Sequence, residues 1–233
     1  MAQPWQTIDR VETGDGVLEL RKRGDRDFMI LINNRVLMNS SANRSEIVLG
    51  ELACRKVATR HRPRVLIGGL GMGLTLKAAL DSLPHTAQVV VSELNSVIVT
   101  WCCGPLAMLT NDAMRDPRVT IMIEDVAAVI ARAALPGGAP FDAILLDLYE
   151  GPGPSSNALH HPFYGSRALK RTAAALSSGG VLAVWGENPD ASFEKRLAAA
   201  GFIVDRERPG RGGLRHVVYV AQKPASGVRQ TAR

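Results

Sequence analysis

The chain has 233 residues, of which 46% are hydrophobic and 21% are charged, and its formal net charge is +6. This composition supports a buried core and excludes the low-hydrophobicity class of disordered proteins. Its apolar runs are all shorter than the roughly 18 residues needed to cross a bilayer, and the first residues lack a signal-peptide pattern. We therefore expect a cytoplasmic protein without a membrane partner.

Two further classes are disfavoured by residue content. Aromatic residues make up only 5% of the chain, which argues against base-stacking surfaces and against nucleic acid as a partner. The cysteines, Cys54, Cys102 and Cys103, suit neither a disulfide framework nor a metal knuckle. We expect reduced cysteines and no metal site.

The first sixty residues predict a small β-rich lobe that leads into a helix. Apolar stretches at 17–20 and 28–31 are separated by Gly24 and followed by Asn33–Asn34, which is the pattern of hairpins. Residues 45–57 begin with polar side chains and continue with apolar residues at helical spacing. We therefore assign residues 1–60 to this lobe and helix, 61–223 to a nucleoside-binding α/β domain, and 224–233 to a disordered tail.

From Arg64 onward, apolar runs of strand length alternate with helical segments, which predicts a doubly wound α/β fold with a mostly parallel sheet. The predicted parallel strands are residues 65–67, 88–92, 119–123, 143–146 and 181–185. Residues 202–206 and 216–222 flank a glycine-rich turn and should pair as an antiparallel hairpin. Together they predict the seven-stranded sheet of the class I methyltransferase type.

A glycine-rich loop, GGLGMG at residues 68–73, joins the first of these strands to a helix that begins near Leu74. Glycine lets the backbone turn tightly and approach a ligand at a helix N-terminus. The dinucleotide pattern would need a third glycine at Leu74, which disfavours NAD. The predicted cofactor-binding residues of the loop are Gly68, Gly69, Leu70, Gly71 and Gly73. The alternative is a glycine-rich turn without a ligand.

Two acidic residues follow the next strands at the same sheet edge. Glu93, with Leu94 beside it, lies about twenty residues after the loop, where a carboxylate can accept hydrogen bonds from ribose hydroxyls. Asp125 is predicted to bind the exocyclic amine of adenine while Val126 packs on the ring. The alternatives are a solvated strand-end charge for Glu93 and a helix N-cap for Asp125, and the two roles of Asp125 are compatible.

The fourth strand ends in Asp147, and the loop that follows contains Tyr149 and Glu150. A carboxylate at this edge can hold an acceptor amine, or take its proton as the amine attacks a sulfonium carbon. We therefore predict Asp147, Tyr149 and Glu150 as catalytic residues, with a loop-capping role as the alternative for Asp147. His160 and His161 are interpreted as surface loop residues.

These motifs resemble the spermidine synthases, aminopropyltransferases built on the class I methyltransferase fold with a small N-terminal β lobe. The resemblance runs from about Phe28 to Lys223 and rests on GGLGMG, on SEL with Glu93, on IEDV with Asp125 and on DLYEGPGP. It implies that Asp147 is the catalytic carboxylate and that Glu150 is the second acid of the same loop. It also places Phe163 and Tyr164 at the family's aromatic positions.

The chain departs from the family pattern at positions that hold the donor. Gly71 replaces the aspartate that grips the amine of decarboxylated S-adenosylmethionine, Leu49 and Gly50 replace a tyrosine–histidine pair, and Met38 replaces a glutamine. Each charge-assisted hydrogen bond lost by that amine is worth about 1.5 to 3 kcal/mol.

The sequence therefore predicts a transferase that uses S-adenosylmethionine and moves its methyl group to a small-molecule acceptor, for which an amine is one candidate. A divergent aminopropyltransferase that uses decarboxylated S-adenosylmethionine is the alternative. A catalytically inactive nucleoside-binding module is the second alternative. The identity of the acceptor and the possibility of a homodimer stay open.

Overall fold

The computed structural model describes residues 3–154, 159–209 and 216–225. The N-terminal strands are β1 (Gln6–Thr13), β2 (Gly16–Arg23), β3 (Asp27–Ile32) and β4 (Arg35–Asn39). They form an antiparallel four-stranded sheet in chain order. Asn33 and Asn34 adopt the left-handed conformation between β3 and β4, as a two-residue hairpin turn requires. The predicted apolar stretches lie in β2 and β3.

The second sheet contains the remaining strands, which are β5 (Arg64–Gly68), β6 (Gln88–Glu93), β7 (Val119–Ile123), β8 (Phe141–Leu146), β9 (Leu176–Gly186), β10 (Ile203–Glu207) and β11 (Val217–Gln222). The α-helices among the described residues are α1 (Arg44–Arg55), α2 (Leu74–Ser82), α3 (Ser96–Cys103), α4 (Ala107–Thr110), α5 (Val126–Ala133), α6 (Ser166–Ala175) and α7 (Ala191–Ala199). A short 3-10 helix spans Ala113–Arg115.

The strand order of the second sheet is β10-β11-β9-β8-β5-β6-β7. Strands β5 to β9 are parallel, and β11 pairs antiparallel with both β9 and β10. The predicted seven-stranded, mostly parallel sheet with a terminal hairpin is confirmed. The chain leaves β5 toward β6 and later returns to its other side as β8, and ligands of doubly wound sheets bind beside such a switch point.

Two apolar cores cover the two faces of the large sheet, because alternate residues of each strand point to opposite sides. Val65 and Ile67 pack in the core that also contains Leu18 and Phe28 of the N-terminal sheet. Leu66 packs in the other core, against residues of α5, α6 and α7. The small sheet therefore shares a core with one face of the large sheet.

Two expectations concern the chain as a whole. Within the described ranges, no helix is long and apolar enough to cross a membrane. The predicted disordered tail, residues 224–233, lies outside the described residues from residue 226 onward.

Candidate active site

A cavity of about 500 Å³ lies between the N-terminal sheet and the carboxyl edge of the parallel strands. This volume is in the usual range for small-molecule sites. The predicted residues that line it are Gly69, Gly71, Glu93, Leu94, Asp125, Val126, Asp147, Tyr149 and Glu150. Apolar side chains of the small sheet, including Leu18, Ile30 and Met38, line it from the other side. The fold thus brings the two sheets together around one site.

The predicted residues Gly68, Leu70 and Gly73 support the cavity without lining it. A Cβ on Gly68 would lie 2.7 Å from a methyl carbon of Val126, so a glycine is needed for α5 to approach β5. Leu70 is buried, and Gly73 caps the N-terminus of α2 with a φ of 77°. These residues fix the shape of the loop.

Gly69 and Gly71 both adopt left-handed backbone conformations, with φ of 88° and 52°. A Cβ on Gly69 would collide with the carbonyl oxygen of Asp147, so the loop runs directly against the end of β8. A Cβ on Gly71 would lie 2.9 Å from Sδ of Met38. Two departures from the family pattern are therefore neighbours, and a glycine and a thioether meet where the family has an acid and an amide.

Glu93 is buried at the end of β6, and both of its carboxylate oxygens accept backbone hydrogen bonds. One oxygen accepts from the amide of Leu70 at 2.9 Å, and the other accepts from the amide of Asn95 at 2.9 Å. This side chain therefore ties the glycine loop to the start of α3. Each carboxylate oxygen retains a second lone pair for a ligand hydroxyl.

Asp125 caps α5, since its carboxylate accepts a hydrogen bond from the amide of Ala127 at 2.8 Å. The N-cap interpretation is confirmed, and the exposed side chain also lines the cavity. Val126 is buried beside it and presents an apolar surface to the same space.

Asp147 lies just after β8 with its carboxylate in the cavity, and Thr75 donates a hydrogen bond to it at 2.6 Å. Removal from water and the negative charge of Glu46 raise the pKa of Asp147 from 3.8 to about 7, while the hydrogen bond from Thr75 opposes this shift. An acid with a pKa near neutrality exists in both protonation states at physiological pH. Asp147 can therefore accept or release a proton there.

The loop after Asp147 forms one rim of the cavity. Tyr149 is 42% exposed, and the guanidinium of Arg35 lies 5.0 Å from its ring centroid. Tyr164 is buried and donates a hydrogen bond to the carbonyl oxygen of Glu150 at 2.9 Å. The predicted catalytic loop is thus anchored by an aromatic residue at one of the family's positions.

His161 lines the cavity together with Phe163, whereas the sequence interpretation placed this histidine on the surface. Its ring stacks on Tyr164 at 5.1 Å, and its Nδ1 accepts backbone hydrogen bonds from Phe163 and Tyr164. Burial lowers the pKa of His161, which favours the neutral ring. In the described parts of the chain, no cluster of three or more potential metal ligands occurs.

Glu46 and Trp185 also line the cavity, and sequence reasoning missed both. Glu46 is in the first turn of α1 and is only 6% exposed. An acid in a first helical turn ordinarily interacts with the helix dipole at the surface, so nothing in the local pattern predicts burial of Glu46. Its proximity to Asp147 follows only from the packing of α1 against the large sheet.

The cavity has a strongly acidic lining in a chain of net charge +6. Its carboxylates are those of Asp15, Glu46, Glu93, Glu124, Asp125, Asp147 and Glu150. Within the described residues no lysine or arginine lines the cavity, and Glu124 alone of the seven forms a salt bridge, with Arg132. The site is therefore suited to cationic ligands.

No family model matches the chain. A polyamine aminopropyltransferase of Shewanella oneidensis is 29% identical over 194 residues, which are 76% of this chain and 32% of the relative. A putrescine N-methyltransferase of Nicotiana tabacum is 32% identical over 125 residues, which are 54% of this chain and 30% of the relative. The chain thus spans about a third of the length of these curated relatives, both of which are named as transferases.

Solved structures show the same fold. A spermidine synthase in complex with the transition-state analogue AdoDATO has a TM-score of 0.72 at 16% identity, covering 95% of this chain and 73% of its own. Human methyltransferase-like protein 13 in complex with SAH has a TM-score of 0.59 at 20% identity. The match covers 82% of this chain and 86% of the methyltransferase-like chain. The predicted resemblance to the spermidine synthases and the class I methyltransferase-like fold are confirmed.

Proposed function

We propose that this chain is a polyamine-related transferase that moves an aminopropyl group from decarboxylated S-adenosylmethionine to an amine of a small polycation. The acidic lining of the cavity carries the proposal, because it favours a sulfonium donor and an ammonium acceptor and repels a ligand carboxylate. The relatives named as aminopropyltransferases support the same choice. The sequence departures had favoured methyl transfer from intact S-adenosylmethionine.

The residues of the site suit the nucleoside part of such a donor. Glu93 has lone pairs available for the ribose hydroxyls, since each oxygen accepts only one backbone amide. Asp125 and Val126 offer an acceptor and an apolar surface for adenine beside Leu94. Gly69 and Gly71 both line the cavity, and their left-handed conformations let the loop backbone form part of its wall.

The proposed reaction is a displacement at carbon. The donor supplies a sulfonium-activated carbon, to which the acceptor nitrogen forms a C–N bond as the C–S bond breaks and its electron pair goes to sulfur. Asp147 takes the proton that leaves the acceptor nitrogen, and Thr75 holds the carboxylate in place. Phe163, Trp185 and the apolar residues of the small sheet provide apolar surface in the cavity.

Methyl transfer to an amine is the second candidate. It is favoured by the contact between Gly71 and Met38, which offers no acid for the free amine of a decarboxylated donor. The match to a putrescine N-methyltransferase supports the same amine substrate class. The two candidates share an acceptor and differ in the donor and in the carbon that is attacked.

The test incubates the protein with 1,4-diaminobutane and either donor, followed by mass spectrometry of the product. We expect an aminopropylated diamine with the decarboxylated donor. A methylated diamine with the intact donor would establish the second candidate, and no product with either donor across a panel of amines would contradict the proposed activity.

The same assay tests Asp147. Asp147→Asn should lower the single-turnover rate by about 10²- to 10⁴-fold and leave donor affinity nearly unchanged, because the lost group acts on the proton of the acceptor. Asp81→Asn, which alters an exposed acid of α2, is the control and should keep full activity. A fully active but less stable Asp147→Asn protein would make Asp147 a structural acid.

A further inference from the structure

Glu46 is a buried carboxylate in the cavity that the loop and strand-end motifs do not account for. It is 6% exposed, and Ser45 donates a hydrogen bond to its Oε2 at 2.7 Å. Within the described residues its Oε1 has no hydrogen-bond partner and neither oxygen has a salt-bridge partner. A buried carboxylate without a cation is costly, so the position is suited to a ligand that supplies one.

The orientation of Glu46 is fixed by a saturated hydroxyl. Trp185 donates to Oγ of Ser45 at 3.2 Å, and Nδ1 of His216 lies 2.9 Å from the same oxygen. The one hydrogen of Ser45 goes to Glu46, so both of its lone pairs accept, and His216 carries its hydrogen on Nδ1. All hydrogen-bonding capacity of Ser45 is thus used to hold one carboxylate.

Glu46 and Asp147 are electrostatically coupled across the cavity. The charge of Glu46 contributes to the raised pKa of Asp147, and Thr75 lies between them, donating to Asp147 with its Oγ1 3.3 Å from the carbonyl oxygen of Glu46. Two neighbouring carboxylates cannot both ionise without cost. A cation bound between them removes that cost and favours the doubly ionised state.

We propose that Glu46 and Asp147 form a carboxyl pair that binds the ammonium group of the acceptor amine, so that Glu46 determines specificity for a cationic acceptor. This inference rests on the proposed function, since it assigns the acceptor to the same cavity. Glu46 holds the ammonium nitrogen, and Asp147 removes one of its protons to free the lone pair. The neutral nitrogen then forms the C–N bond as the C–S bond breaks and its electron pair goes to sulfur.

Calorimetry with 1,4-diaminobutane tests the pair directly. Glu46→Gln should weaken diamine binding by about tenfold to a hundredfold, because a charge-assisted contact is lost while the amide oxygen still accepts from Ser45. Binding of 5′-methylthioadenosine, which has no amine on its side chain, should be unchanged. Glu51→Gln on the same helix, whose carboxylate pairs with Arg55 near the surface, is the matched control.

Other results would contradict the proposal that Glu46 and Asp147 bind the acceptor ammonium group. Equal diamine affinity in the wild type and in Glu46→Gln excludes Glu46 as a contact of the acceptor. Weaker binding of decarboxylated S-adenosylmethionine with unchanged diamine binding assigns Glu46 to the donor's amine instead. If the wild type binds none of the diamines offered, the pair is not an ammonium site.

A measurement on the wild type covers the case in which Glu46→Gln does not fold. Diamine binding near pH 7 should release a fraction of a proton, seen as a dependence of the binding enthalpy on the ionisation enthalpy of the buffer. Binding without proton release contradicts the ionisation of Asp147 by a bound ammonium group. Diamine binding that needs Glu46, in a protein without transfer activity, would contradict the proposed function and leave the pair standing.

Discussion

Asp147 is the acid on which the proposed chemistry depends, and its surroundings change its pKa. Its pKa is raised to about 7, first by removal from water and then by the charge of Glu46. A group that takes a proton from the acceptor must itself be ionised, so the free enzyme gains its competent form as pH rises through the pKa. The pH dependence of the rate therefore reports the environment of one side chain.

We expect kcat/KM for the acceptor to rise with pH through a limb near 7, and Glu46→Gln to move this limb to lower pH. The sign follows from the removal of a negative charge, which eases ionisation of Asp147 and lowers its pKa. Titration of the amine itself is the same for both proteins and cancels in the comparison. Rate profiles of the wild type, Glu46→Gln and Glu51→Gln measure the shift, and a limb at the same pH in all three would contradict the coupling.

At the scale of elements, the glycine loop, the end of β6 and the start of α3 are held together by one carboxylate. Glu93 accepts from the amides of Leu70 and Asn95, so its replacement affects the loop as well as any bound ribose. Glu93→Ala would remove both acceptors at once. Glu93→Gln keeps one carbonyl oxygen and is the cleaner variant.

We expect Glu93→Gln to lower the melting temperature and to weaken binding of 5′-methylthioadenosine by at least tenfold. The structural and ligand effects separate with 2′-deoxy-5′-methylthioadenosine, which lacks one ribose hydroxyl. The wild type should lose affinity for this analogue, and Glu93→Gln should lose much less, because the partner of that hydroxyl has already been altered. The same loss in both proteins would remove Glu93 from the ribose site.

The elements that the sequence predicted are those with a strong local pattern. The inner parallel strands are apolar because both faces are buried, and the edge strand β7 is only partly buried but still mostly apolar. The strand ends put Glu93, Asp125 and Asp147 at one edge by a general rule of parallel sheets. The edge strands β1 and β4 were not predicted, since β1 is mostly exposed and the apolar run of β4 is only three residues long, at 36–38. Periodicity has little to detect where neither face is fully buried.

Long-range packing accounts for what the sequence could not show at the site. Glu46 looks like an ordinary acid in the first turn of a helix, and its burial depends on how α1 packs on the large sheet. Met38 and Gly71 were recognised as separate departures from a family pattern, but their contact joins two sheets that are distant in sequence. His161 was placed on the surface because a Pro-flanked loop gives no sign of the cavity beneath it.

At the scale of the whole molecule, a chain of net charge +6 encloses a cavity whose lining is acidic. The Debye length in physiological salt is about 8 Å, so the positive outer surface is largely screened from the cavity, while charges inside it interact through a less polar medium. The field that a ligand meets is therefore set by the carboxylates of the lining. We therefore expect the cavity to favour cationic small molecules over anionic ones.

The order of donor affinities tests whether the acidic lining of the cavity or the glycine loop determines which donor binds more tightly. Gly71 alone favours intact S-adenosylmethionine, because it offers no acid to the free amine of the decarboxylated donor. The lining favours the decarboxylated donor, because each of its carboxylates repels that of the intact donor and none of the described residues that line it is a lysine or arginine. Summed over the cavity, the repulsion should outweigh the loss of one loop acid. We expect the decarboxylated donor to bind at least tenfold more tightly at low salt, which is about 1.4 kcal/mol.

Calorimetry with both donors at two salt concentrations measures this order and its origin. An electrostatic preference should shrink as salt rises, because screening weakens repulsion in the open part of the cavity, whereas a preference set by shape would not change. 5′-Methylthioadenosine, which has neither the carboxylate nor the amine, is the control and should bind with the same affinity at both concentrations. Tighter binding of the intact donor would mean that the glycine loop determines donor preference. Methyl transfer would then be the leading activity.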